Sequence, residues 1–387
     1  MIAVGIDIAK RTHEACFMSQ DGQQIGKTRR FHNTRAGVDA LLDDVRQLCE
    51  PVTIGLEATG HYWLALHDSL RLAGHTVQVL NPLQTHAYRK TTIRKLKTDR
   101  KDAWLIADVV RIGRGRAAYV PDATILQLRE LTRFRWGLVD QIGDAKRRIL
   151  TILDRVFPEY EALFSDVFIK SSRALLQQAT SAAEFADADL DELTAVLKQH
   201  SRGRLGADKA QALQMAARDS LGMTRLGDVA GFELRALLDQ ITFLEQQVAE
   251  VELHVETLLA SIEQHVTDIK GISPVMAASL IAEIGDVQRF RRFESLVAYS
   301  GIDPTVFASG EFSARETHMS KRGSPHLRRA LWLSAITASH SNPDLAEYLR
   351  RRLDEGKPWG TAMGAVARKL LSRIYVVLRD NRPYEVR

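Results

Sequence analysis

Two short apolar runs each end on a carboxylate, and this arrangement limits what the chain can fold into more than any other feature. Ile2–Ile8, in "IAVGIDIAK", carries Asp7 at its end. Val52–Leu56, in "VTIGLEATG", leads directly into Glu57, small residues and Gly60. Apolar runs of this length read as strands. An acid closing a strand that should be buried either lines the mouth of a site or bears a desolvation cost. Further strands are expected at Glu14–Met18 and Lys27–Phe31, joined across "SQDGQQ", and at Thr76–Leu80. Thr34–Leu48 has helical spacing, with Val38, Leu41, Leu42 and Val45 on one face, and Tyr62–Leu72 reads as a second helix. The N-terminal part is therefore of the α/β class.

The stretch "KTDRKDA" places Asp99 and Asp102 three residues apart at the start of the next helix, so they share one face. By itself it is an ordinary capped helix start: Thr98 caps, and the acids favour the positive end of the dipole. Its surroundings are unusual. Between Gln84 and Arg116 stand ten Lys/Arg against three Asp, among them Arg89, Lys90, Arg94, Lys95, Lys97, Arg100 and Lys101. Asp7, Glu57, Asp99 and Asp102 together make a hard-oxygen set suited to Mg²⁺ or Mn²⁺. Two such ions can activate an attacking oxygen and stabilise a leaving one at a phosphodiester. The basic residues around them then hold phosphates. An actin- or hexokinase-like ATPase shares the strand-end Asp, but it wants a Gly-rich hairpin and further phosphate loops, and here the hairpin is poor and the second half helical.

Beyond this part the chain turns helical. A helix is expected over 124–156 and short helices over 165–230. Leu234, Leu237, Ile241, Leu244, Val248, Val251, Val255, Leu258 and Ile262 then alternate spacings of three and four. That is a heptad seam, open at this level to packing within the chain or against another one. "DIKGISPVMAASLIAEIG" reads as helix, turn, helix, a helix-hairpin-helix-like motif whose turn could approach a DNA phosphate. A Gly/Ser-rich loop segment and a basic helix from about Ser324 follow.

The formal charge of +5 permits a nucleic-acid partner without requiring one. Cys16 and Cys49 are the two cysteines and form no zinc spacing, which speaks against a disulfide framework and fits a reducing compartment. No signal peptide or membrane-length apolar run is evident, so a cytosolic protein is expected.

"GIDIAK", "LEATG" and "NP…KTDRKDA", followed by "IKGISPVMAASLIAEIGD", "GIDP", "SG" and "SKRGSPHLRRAL", resemble the DEDD transposases of the insertion-sequence-110 family, relatives of the Piv-type invertases. The motifs run in the family's order from about residue 2 to about residue 375. The resemblance implies a RuvC-like domain of ribonuclease H fold over 1–122, carrying the tetrad Asp7, Glu57, Asp99 and Asp102. It implies a helical and coiled-coil region over 123–265 and a mainly helical C-terminal transposase domain over 266–387. Ser309, in "FASGEF", corresponds to the family's nucleophile; residue chemistry alone leaves Ser300, Ser313, Ser320 and Ser324 equally open. Arg315, Lys321, Arg322, Arg328 and Arg329 become candidate phosphate contacts. The resemblance further implies donor and target DNA as substrates, and a structured guide RNA that pairs with both (bridge RNA). It implies a homo-oligomer, dimer or tetramer, whose tetrad and serine come from different subunits, and a place in the bacterial cytoplasm with the nucleoid. Aromatics such as Tyr88 would suit RNA. A metal-dependent junction resolvase or nuclease, and a non-catalytic nucleic-acid-binding assembly protein, are the rival readings.

Overall fold

The computed structural model describes residues 1–89, 98–113, 118–304, 308–309, 312–313 and 319–385. Lys90, Arg94, Lys95, Lys97 and Arg315 lie outside the described residues, as does the side chain of Ser309. The chain divides into two compact units, Met1–Val120 and Pro121–Arg387.

The first unit is built on one mixed sheet. Strands β1 (Ile2–Asp7), β2 (Thr12–Met18) and β3 (Arg29–His32) are followed by helix α1 (Arg35–Arg46). Then come β4 (Val52–Glu57), α2 (Trp63–Leu72), β5 (Thr76–Leu80), α3 (Pro82–Arg89) and α4 (Asp99–Arg111). The strand order is β3-β2-β1-β4-β5, antiparallel from β1 to β3 and parallel from β1 through β4 to β5.

Side chains alternate across a strand, which sorts the two faces. Val4, Ile6, Ile54 and Leu56 join Val38, Leu41, Leu42 and Val45 of α1 and Leu66 and Leu70 of α2 in one core. On the other face α4 lies against β1 and β2, with Ala103 and Ala107 packed on Cys16 and Met18. Gly5 permits this approach. A Cβ there would stand 2.1 Å from the Ala107 nitrogen and 2.2 Å from the Ala103 carbonyl oxygen. At Gly55 a Cβ would stand 2.4 Å from Val110. The helix therefore rests directly on the strand backbones, on the face where Asp7 and Glu57 also fall by the period of two.

The second unit is helical. Helix α5 (Ala123–Val156) is followed by α6 (Lys170–Gln178), α7 (Ala182–Asp187), α8 (Leu190–His200), α9 (Ala207–Arg218) and the long α10 (Gly227–Ala260). After it come α11 (Pro274–Ile284), α12 (Phe293–Ser300), the short strands β6 (Ala308–Ser309) and β7 (Phe312–Ser313), α13 (Pro325–Ser341), α14 (Pro343–Asp354) and α15 (Trp359–Asp380).

The heptad seam of α10 packs along α5 of the same chain. Leu234, Leu237 and Ile241 meet Ala145, Ile149, Ile152 and Leu153, and Leu244, Val251 and Val255 share a core with Leu128, Trp136 and Leu138. The helical hairpin expected before α11 takes another form. A single 3-10 turn, Val266–Asp268, precedes the Gly-Ile-Ser-Pro turn. That turn is pressed onto α13: a Cβ on Gly271 would lie 2.4 Å from the Ala338 Cα. Residues Ala277 to Ile284 of α11 are all buried, so this helix serves the core. Among the described residues, no helix is long and apolar enough to cross a membrane.

Candidate active site

Each of the four acids has a local reason for its place. Asp7 ends β1 one residue past Ile6, which pairs with Leu56 of β4, and Glu57 ends β4 opposite Leu80. The turn after β4 needs Gly60 at φ +62, and Thr59 donates its hydroxyl to Glu57 at 3.1 Å. Thr98 caps α4, its hydroxyl accepting the Lys101 amide at 3.4 Å, which sets Asp99 and Asp102 in the first turn. Asp102 is nearly enclosed, with a side chain 10% exposed.

Electrostatics tie the four together. The Asp7 carboxyl is pushed up to about 7, first by burial and then by the charges of Asp102, Asp99 and Glu57, while Arg89 opposes the rise. A carboxyl that holds its proton so far above the usual range is both desolvated and crowded by like charge. Arg89, at the end of α3, donates to Asp102 at 2.9 Å. The sequence offers it as a nucleic-acid contact, and in the structure its guanidinium is drawn into the acid cluster. Among the described residues, no three His, Cys, Asp or Glu side chains stand ready around a single ion position. The donor set nonetheless fits a divalent ion in chemistry: all carboxylate oxygens, with more acids than the one guanidinium among them offsets.

The remaining basic candidates divide. Arg100 is exposed and lies 3.5 Å from Glu14, and Lys101 is exposed. Arg329 is committed within the chain, making hydrogen bonds of 2.8 and 2.6 Å to Asp140 and stacking 4.4 Å over Trp136. Lys321 and Arg322 are exposed, and Arg328 is half-buried. Tyr88, read as exposed, is packed at the sheet and donates to the buried Asp108 at 2.6 Å. Ser309 pairs through its backbone with Phe312 in the β6–β7 ribbon.

Two acids escaped the sequence reading. Glu14 is buried opposite Asp7 in the β1–β2 register and accepts from Thr28 at 2.5 Å. Glu283, 2% exposed, receives Arg133 in two bonds of 2.7 and 3.1 Å and the Ser324 hydroxyl at 2.8 Å. An acid inside the apolar helix "PVMAASLIAEI" was the available signal for the second.

A DEDD transposase model of the IS110 kind matches residues 4–158, and the model for the transposase IS116/IS110/IS902 family matches residues 263–350. The chain belongs to the IS110 family of transposases. Its relatives span nearly its whole length. A pilin gene-inverting protein of Moraxella bovis is 26% identical over 99% of this chain and 98% of its own. The insertion element IS110 43.6 kDa protein of Streptomyces coelicolor is 24% identical over 100% of this chain and 96% of its own. The transposase for insertion sequence element IS1111A of Coxiella burnetii is 24% identical over 97% of this chain and 86% of its own. This IS110-family chain is thus an enzyme of the transposase and recombinase class, and a DEDD family implies dependence on divalent metal.

Proposed function

We propose that the protein excises and inserts an insertion sequence by serine-linked DNA strand exchange at a metal-dependent acidic site. The observation that carries this is Asp7, half-buried at a strand end within the field of Asp102, Asp99 and Glu57. The strand order, with an antiparallel β1–β3 edge and two parallel strands beyond β1, supports a RuvC-like, ribonuclease H reading of the first unit.

In this reading Asp7, Glu57, Asp99 and Asp102 hold Mg²⁺ or Mn²⁺, as two ions. Bound there, the metal supplies positive charge that stabilises the phosphate as it reacts. The Ser309 oxygen bonds to phosphorus while the strand's P–O bond breaks. The departing strand oxygen takes up a proton in place of the one that serine gives up, and the phosphodiester is conserved for rejoining. Lys321, Arg322, Arg100 and Lys101 are exposed and suit phosphate contacts. A structured guide RNA, an oligomer of two or four chains and a composite site between subunits complete the proposal.

Two measurements test it. Calorimetric titration of Mn²⁺ into the full chain should show binding that Asp7→Asn and Asp102→Asn each abolish; unchanged binding in both variants would remove the tetrad. Sequencing the nucleic acid that co-purifies should return one discrete RNA matching DNA that flanks the gene, whereas random cellular RNA would contradict guidance.

A further inference from the structure

The two ends that flank the Ser309 segment, Pro304 and Met319, form a tightly fastened neck. Pro304 and Met319 pair across an antiparallel bridge. The Ser320 amide donates to the Asp303 carbonyl at 2.8 Å, and its hydroxyl reaches the Asp303 carboxylate at 2.5 Å. The Ser324 amide donates to the Tyr299 carbonyl at 2.7 Å. Gly323 is needed for that closeness, since a Cβ there would lie 2.0 Å from the same carbonyl oxygen.

Beside this neck opens a cavity of about 450 Å³, lined by Met319, Pro325, Arg328, Arg329, Trp332 and Leu333. The size lies within the range of about 300–1,000 Å³ usual for small-ligand sites. Its chemistry is uneven. Trp332 contributes an indole, held edge-on by Trp359 at 6.2 Å, and Leu333 is 39% exposed at its side. Arg329 adds a fixed cation, tied to Asp140 and Trp136. Arg328 lines the cavity with the rest of its side chain, while its Nη1 is buried against Gly301, where a Cβ would stand 2.7 Å from it.

An apolar peptide side chain would suit the indole and Leu333 but would make no use of the arginine side chains in the lining. A free phosphate would suit the guanidinium groups but would not use the indole. A nucleobase on its phosphate backbone uses both: a flat π-face, acceptors on its edge, and negative charge beside Lys321 and Arg322. We propose that this cavity receives one unstacked base of the DNA strand being exchanged, laid against Trp332 with the side chain of Arg328 at its edge. The inference rests on the reading above that the chain acts on DNA. A strand that changes partners must leave its stack at the junction, and a stacking platform at the neck of the Ser309 segment offsets that loss.

The test compares dT12 with an abasic dodecamer of the same phosphate backbone, binding each to the full chain at fixed salt. The wild type should bind dT12 about tenfold more tightly, a difference of the size one base-aromatic stack supplies. Trp332→Ala should reduce that preference to within about twofold with the abasic affinity unchanged, and Trp332→Phe should retain most of it. Equal binding of both oligomers by the wild type, or an undiminished preference in Trp332→Ala, overturns the subsite and leaves the DNA reading standing. Binding of neither oligomer overturns the DNA reading and the subsite with it. A Trp332-dependent preference for rU12 that is absent for dT12 overturns the assignment to DNA.

Discussion

At the residue scale, the two most informative side chains are acids kept in opposite states by their surroundings. Asp7 is surrounded by like charge, so its removal should relieve the fold. In the presence of chelator, Asp7→Asn is expected to raise the melting temperature at neutral pH by a few degrees while abolishing recombination, the trade seen where function stores unfavourable charge. A lower melting temperature in that variant would mean the repulsion is not there. Glu283 is held below its usual 4.5 by the hydrogen bond and charge of Arg133 and by Ser324, which outweigh its burial. A lowered carboxyl stabilises the fold above its unfolded pKa and loses that contribution as pH falls through the folded value. Wild type should therefore lose stability more steeply below pH about 4.5 than Glu283→Gln does in urea melts across pH, and parallel acid limbs would exclude it. Glu283→Ala, which strands the half-exposed Arg133, should cost about 2–3 kcal/mol, less than a fully buried pair would.

At the element scale, α4 is the part on which the site depends, because its backbone touches β1 at Gly5. Gly5→Ala is expected to cost about 1–3 kcal/mol, the usual range for overpacking, and to impair recombination by displacing Asp99 and Asp102. Native stability and activity in that variant would show that α4 can shift without consequence. The same elements show what was legible beforehand. The five strands and α1, α2 and α4 declare themselves by periods of two and 3.6, with ends moved by a residue or two: β2 starts at Thr12, two residues ahead of the expected Glu14. Helix α3 went unread because "PLQTHAYR" has no apolar stripe, only a proline at its first position. The strand-end acids were readable because burial and charge conflict within a few residues. Arg89 on Asp102, Glu14 beside Asp7 and Arg133 on Glu283 were not, since each joins elements that only the tertiary fold brings together.

At the scale of the molecule, the proposed strand exchange draws its acids from the sheet unit and its serine, Ser309, from the helical unit. The long α10 finds its seam partner in α5 of the same chain, so the heptads alone do not require a second copy. Full-length similarity to a pilin gene-inverting protein and to a transposase places both units in one recombination enzyme. The account turns on whether Ser309 is joined to DNA in the presence of metal. The most direct measurement incubates the full chain with DNA from its own element's ends and Mg²⁺, then denatures the mixture and looks for protein bound covalently to DNA. An adduct in the wild type that is lost in Ser309→Ala and in Asp102→Asn is the predicted result. Strand cleavage that persists unchanged in Ser309→Ala, with no adduct in the wild type, would contradict it.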